Sequence, residues 1–192
     1  MTKRPSHIDS LAKDAQKGDH QAFREMYVQS YDKLIQYGRA LDYDKNLIHD
    51  TIQDLFIWLI KHPEKIQGIN NVHTYLFKCL RQNMHTYLKR RKKKEENAEK
   101  YHQSFSQEAN AESKLIHAEN LDLQSTWLVS QLNQLPPKQK EVIYLRFYEG
   151  LSYDEMADIL SVSNQVVRNS VFRAIKKLRK NVNHDQNDPK NL

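Results

Sequence analysis

Two stretches of this chain carry many positive charges and no negative ones. Between Ser163 and Lys180 stand Arg168, Arg173, Lys176, Lys177, Arg179 and Lys180 without an acid among them. Between His73 and Lys94 stand Lys78, Arg81 and the run Lys89, Arg90, Arg91, Lys92, Lys93, Lys94, again without one. Cations packed this way suit phosphates, where they release condensed counterions and make binding fall steeply with salt. In the C-terminal stretch the polar residues ahead of most of the cations, Ser163, Asn164, Gln165, Arg168 and Asn169, offer the donors and acceptors that base edges match in a major groove. Arg173, Lys176 and Lys177 follow and suit phosphates. In the earlier stretch Tyr75 and Tyr87 interleave with Gln82, Asn83 and His85, a mixture fitted to unpaired bases that stack on rings. A basic run alone also serves as a solvated helix end, so neither stretch decides the matter by itself.

A third constellation is acidic. Asp50, Gln53 and Asp54 fall at i, i+3 and i+4, and Trp58 stands one turn further on, which places all four on one helix face. With His49 beside them, two carboxylates this close could bind a metal or move protons. Either chemistry needs ligands converging from elsewhere. The nine histidines include no pair at i, i+4, and Cys79 is the single cysteine. There is no glycine-rich phosphate loop and no serine or cysteine nucleophile motif. The expectation is therefore a chain with no cofactor, no metal and no catalysis, whose acidic face meets water or a basic partner.

The elements that position these residues read as helices throughout. Of 192 residues only four are glycine, and apolar residues recur at helical spacing rather than in alternating runs. The spacing predicts a helix from near Ser6 to Gly18, a long one after Asp19, a third after Asp44 that Pro63 stops, and a fourth after Asn71. In the fourth, Val72, Leu76, Cys79, Leu80, Met84, Tyr87 and Leu88 are expected to turn inward, and Lys78, Arg81, Gln82, His85 and Lys89 outward. From Glu95 to Gln124 seven acids stand against Lys100 and Lys114, a composition that neither buries enough to order itself nor approaches DNA. A flexible acidic linker over 95–122 is expected. Beyond it the apolar pattern resumes, with a helix over Lys138 to Tyr148 buried by Val142, Ile143, Leu145 and Phe147. Ser152 and Glu155 form a capping box for a short helix to Leu160. A turn at Ser161 to Ser163 leads to a last helix from Asn164 to about Lys180, and the tail from Asn181 is expected to be disordered. A short capped helix, a tight turn and a basic helix together describe helix-turn-helix geometry.

These residues resemble the sigma-70 family of RNA polymerase subunits, in the small extracytoplasmic-function (ECF) form that keeps only the domains sigma-2 and sigma-4. The resemblance covers Leu11 to Lys94 and Leu123 to Lys180. Asp50-Thr-Ile-Gln53-Asp54-Leu-Phe56-Ile-Trp58-Leu59 is similar to the family's D-x-x-Q-D-x-F-x-x-L signature. Leu135 to Phe147, followed by Gly150-Leu-Ser-Tyr-Asp-Glu155-Met-Ala157, resembles the start of sigma-4. The resemblance implies an all-α chain with sigma-2 over 1–94, a linker over 95–122, sigma-4 over 123–182 and a disordered tail over 183–192.

By the same resemblance, Asp50, Gln53, Asp54, Phe56 and Trp58 dock on the beta-prime coiled coil of core RNA polymerase, and sigma-4 touches the beta flap. Gln67, Asn70 and Asn71 are the polar candidates of a loop that captures a flipped-out base. Tyr75, Lys78, Arg81, Gln82, Asn83, His85, Lys89, Arg90 and Arg91 recognise and melt the minus-ten element. Ser163, Asn164, Gln165, Arg168, Asn169, Arg173, Lys176 and Lys177 read the minus-thirty-five element. Gln82, Thr86 and Ser170 depart from residues common in the family, which bears on promoter sequence rather than class. An anti-sigma factor is implied. With no apolar run near the roughly 20 residues that span a bilayer, a cytoplasmic protein without membrane insertion is expected. On residues alone, a stand-alone helix-turn-helix regulator, a metal-dependent nuclease using Asp50 and Asp54, and an RNA-binding adaptor remain the alternatives.

Overall fold

The computed structural model describes residues 7–99 and 130–186, with side chains over 7–93 and 130–181. The described elements are helical, and the chain divides into two units, Met1–Asn110 and Ala111–Leu192.

In the first unit α1 (His7–Ala15), α2 (His20–Ala40), α3 (Lys45–Lys61) and α4 (Val72–Glu99) pack around one core, with a short 3-10 turn at Pro63–Ile66. Asp19 and Asp44 cap α2 and α3 as the sequence predicts: Asp19 accepts from the Gln21 and Ala22 amides, and Asp44 from Asn46 and Leu47. Each cap satisfies amides that a helix start leaves unpaired. Asn71 does the same for α4, its Oδ1 accepting from the Thr74 amide at 3.0 Å. Met26, Leu34, Tyr37, Ile48, Ile52, Leu59, Leu76, Phe77, Leu80 and Met84 are fully buried between the helices.

Three expectations are corrected here. Tyr87 and Leu88, expected inward, are 49% and 38% exposed, because by that point α4 has run past the helices that cover its inner face. Phe77, outside the expected stripe, is fully buried against Tyr37 and the edge of His73, at 4.9 and 4.6 Å between ring centres. α4 also continues five residues beyond Lys94, into the stretch expected to be linker. Charged side chains do not by themselves stop a helix that is already nucleated and packed at its other end. The rest of that linker, residues 100–122, lies outside the described residues, as do 123–129 and the last six residues.

In the second unit residues 130–133 are helical, and α5 (Pro137–Ile143) starts on a proline, where the missing amide costs nothing. α5 widens into a π-helical turn over Tyr144–Tyr148. One expectation is corrected here: the sequence places Phe147 inward with Leu145, but two residues along a helix turn the side chain through about half a revolution, so the two cannot share the buried side. Phe147 is 63% exposed while Leu145 is fully buried. α6 (Tyr153–Leu160) carries the complete capping box, with the Ser152 amide donating to Glu155 Oε2 at 2.7 Å and the Glu155 amide to Ser152 Oγ at 3.2 Å. Ser161 closes α6 in the left-handed conformation, φ 55°, and α7 (Asn164–Gln186) follows. α7 runs past Lys180 through the start of the tail expected to be disordered, and Asn181 Nδ2 donates to Gln134 Oε1 at 3.3 Å.

α2 and α3 approach so closely that only glycine fits at position 38. A Cβ there would stand 2.7 to 2.9 Å from three carbons of Ile48. In a helix interior Gly38→Ala gains roughly 0.5–1 kcal/mol from propensity, but overpacking a core costs roughly 1–3 kcal/mol. The steric effect wins: Gly38→Ala is expected to lower stability by about 1 kcal/mol in chemical denaturation, and adding Ile48→Ala in the same chain is expected to remove the clash component in a double-mutant cycle.

Candidate functional site

The acidic face stands where its spacing placed it. Asp50, Gln53 and Asp54 are exposed on α3, and Trp58 is 40% exposed, its ring tilted against that of His62 at 5.2 Å between ring centres. Ile57 and Ile60, half in solvent, extend this surface as apolar area. Phe56 is different. It is buried, edge-on to Tyr27 at 5.1 Å, so it supports the face from behind and offers a partner nothing. Tyr31 hydroxyl bonds His49 Nδ1 beneath the same face and ties α2 to α3. Among the described residues no group of His, Cys, Asp and Glu is gathered to hold a metal ion.

On α4 the outward residues form one stripe. Tyr75, Lys78, Gln82, His85 and Lys89 recur every three or four residues, so they line one side of the helix. Tyr75 is half-buried at the base of the stripe and Gln82, His85 and Lys89 are exposed. Asn83 and Arg90 lie round the helix from it, and Arg91 further still, so the minus-ten candidates share one helix but not one face. Burial, and then the adjoining Cys79, push the Tyr75 hydroxyl above its ordinary range. Tyr75 is therefore neutral at physiological pH and presents a ring and an O–H rather than a charge. Burial likewise pushes the Cys79 thiol up. At the start of α4, Gln67 and Asn70 are exposed, whereas Asn71 is occupied as the cap.

The amino-terminal end of α7 holds a network the sequence did not disclose. Asn164 Nδ2 donates to Asp154 Oδ1 at 2.6 Å, and Arg168 Nε donates to Asn164 Oδ1 at 2.6 Å. The Arg168 guanidinium lies 4.6 Å from the centre of the Tyr153 ring, and Arg146 lies 4.7 Å from the same ring. Arg146 is in turn anchored by donating to the Leu151 carbonyl at 2.7 Å. Gln165 Nε2 donates to Asn169 Oδ1 at 3.2 Å. Ser163 Oγ accepts from the Val166 amide and caps α7. The sequence names Asn164, Arg168 and their neighbours, but misses Arg146, Tyr153 and Asp154, because α5 and α6 meet α7 only in the folded unit. Arg173, Lys176 and Lys177 are exposed further along α7, and Val167, Val171 and Ala174 hold its inner side.

Two family models match this chain: sigma-70 region 2 over residues 26–94 and sigma-70 region 4 over residues 125–178. The chain belongs to the sigma-70 family. It is of the ECF type: the ECF RNA polymerase sigma-E factor of Haemophilus influenzae is 25% identical over 174 residues, 86% of this chain and 89% of that protein. The solved structure of CnrH in complex with the cytosolic domain of CnrY is similar with a TM-score of 0.63 and 22% identity, covering 92% of this chain and 97% of that one. Sigma factor RpoE, solved with the anti-sigma factor NepR from Bartonella quintana, gives 0.61 and 21%, covering 82% and 94%. Region 2 thus contains the acidic face of α3 and the stripe of α4, and region 4 contains α5, α6 and the basic part of α7.

Two outcomes follow for this sigma factor. Because the thiolate is the reactive form, Cys79 is expected to react with iodoacetamide at pH 7.5 at least about tenfold more slowly in the native chain than in denaturant, read by mass spectrometry. Tyr153→Ala removes the surface on which Arg168 rests, a contact of roughly 0.5–1 kcal/mol when exposed. It is expected to flatten base preference at one duplex position about two- to fivefold in selection from random duplexes, with Tyr153→Phe matching the wild type.

Proposed function

We propose that this chain is a promoter-specificity subunit of bacterial RNA polymerase that works as a two-part grip. The observation that carries the reading is that region 2 and region 4 lie on one chain, each ending in a helical stretch, within 73–94 and 163–180, that buries one face and carries cations without an acid. α7 would lie in the major groove of the minus-thirty-five element, Asn164, Gln165, Arg168 and Asn169 toward base edges and Arg173, Lys176 and Lys177 toward phosphates. The α4 stripe, with Gln67 and Asn70 beside it, would take unpaired bases of the minus-ten element, Tyr75 by stacking and Lys78 and Lys89 by charge.

The exposed carboxylates of Asp50 and Asp54, with Gln53 and Trp58, would dock on the beta-prime coiled coil. An acidic face is repelled by DNA and matched by a basic protein surface, which is why it belongs to the polymerase and not to the promoter. Sigma-4 would also meet the beta flap. Neither unit need bind DNA tightly alone, since attachment to one large enzyme turns the second contact into an intramolecular one. A relative of similar fold is held by an anti-sigma factor, and we place this chain in the cytoplasm under the same kind of control. Among the described residues no helix is long and apolar enough to cross a membrane. The chain would hold no cofactor and perform no catalysis of its own, the chemistry being the polymerase's. A stand-alone helix-turn-helix regulator is the less favoured reading, because it gives region 2 no task.

Transcription in vitro with core polymerase and genomic DNA tests the reading: start sites at defined positions, absent without the chain, are expected. Asp50→Ala with Asp54→Ala is expected to weaken core binding about tenfold with the helical circular dichroism unchanged. Tight binding to a palindrome without core enzyme would favour the regulator instead.

A further inference from the structure

The segment between α3 and α4 is a hoop with one foot tied to α1 and the other to the residue that follows it. At the first foot, Gln16 Nε2 donates to the Ile66 carbonyl at 2.9 Å, and the Ile66 side chain is fully buried. At the second, the Val72 amide donates to Asp9 Oδ1 at 2.9 Å, and Val72 is fully buried as well. Asp9 on α1 and Gln16, the residue just after it, whose amide still bonds the Ala12 carbonyl at 3.0 Å, stand about two turns apart, and so reach both feet from the same side. Between the feet Gln67, Gly68 and Asn70 are exposed. Gly68 has φ +75°, a backbone that a side chain resists, and the Ile69 amide turns back to the Ile66 carbonyl at 3.4 Å. The Asp9 carboxylate also sits at the amino end of α4, where the helix dipole favours negative charge.

A short loop whose ends and turn are fixed has already lost most of its backbone freedom before a ligand arrives. Ordering each free residue would otherwise oppose binding, so such a loop binds more tightly and discriminates better than a slack one. We infer that Asp9 and Gln16 are positioning residues for the base-capturing loop, so that α1 sets how sharply one unpaired base is recognised. The inference depends on the proposed reading of Gln67 and Asn70. It goes beyond the family match, since both residues precede the matched region at 26–94.

The test uses the full chain assembled with core polymerase and a forked duplex whose non-template strand carries a short run of random unpaired nucleotides. Retained sequences are read by counting the base enriched at each position. Asp9→Ala is expected to lower enrichment at one position about five- to tenfold, the size of an ordinary lost hydrogen bond, leaving neighbouring positions within about twofold. Asp9→Asn, which keeps an acceptor for the Val72 amide, is expected to restore most of it. Gln16→Met, which keeps length but cannot donate, is expected to act in the same direction as Asp9→Ala and decides the matter if that variant folds poorly. Enrichment equal to wild type in both variants overturns the inference, and so does a loss spread evenly over all positions, which is what a merely loosened domain gives. A wild-type chain that enriches no base overturns the loop reading itself, which separates the two failures.

Discussion

A helix that must show charge to DNA can be held only by its other side, and this division of faces governs both units. In α4 the inner side supplies Val72, Leu76, Phe77, Leu80 and Met84, all fully buried. Burying such side chains contributes roughly 1.5–3 kcal/mol each before entropy is counted, enough to hold the helix from its amino end. The outer side is then free to carry Lys78, Gln82, His85 and Lys89 for function rather than for stability. α7 repeats the arrangement with Val167, Val171 and Ala174 inside and Arg168, Arg173, Lys176 and Lys177 outside.

Where stability and recognition meet, the structure uses hydrogen bonds to fix direction. Arg168 is a long side chain with much rotamer freedom to lose, and lone exposed pairs hold such chains weakly. Here Asp154, Asn164 and the Tyr153 ring act on it together. The chain of partners starts on α6, so the short helix serves as more than a spacer: it holds Arg168 in place at the amino-terminal end of α7. In the first unit the amino-terminal helix makes comparable ties to the hoop at Gln67 to Asn70. In both places a helix that touches no DNA in the proposed reading decides how well its neighbour reads.

The acidic α3 face completes the logic of charge. It is formed on the same small bundle as the basic stripe, and the two do not neutralise one another in sequence, because three or four residues separate like faces of a helix while the acids and the cations belong to different helices. Region 2 can thus present one sign of charge to a protein and the other to a nucleic acid. Phe56, buried edge-on against Tyr27, is the position of the α3 signature that packs inside the bundle.

Much of this was legible in the residues themselves. Caps at Asp19, Asp44, Asn71 and Ser152 are local, each involving a side chain and amides two or three positions away, so composition and spacing sufficed to mark the helix starts. The acidic triad and the basic tracts were legible for the same reason, since i, i+3, i+4 spacing places side chains on one face wherever the helix lies. What spacing could not supply was the company each helix keeps. Tyr87 and Leu88 fit an inward stripe but outrun the helices that would cover them, Phe147 is left uncovered where Leu145 is buried, and Phe77 is covered from a side the pattern did not mark. The bonds from Asp9 to Val72 and from Gln16 to Ile66 join positions fifty or more residues apart, and Tyr153 meets Arg168 across a turn. Local periodicity determined which helices exist and which charges share a face, while only packing among them decided which apolar residues are buried and which polar ones are held in place, because those depend on distances that no single helix contains.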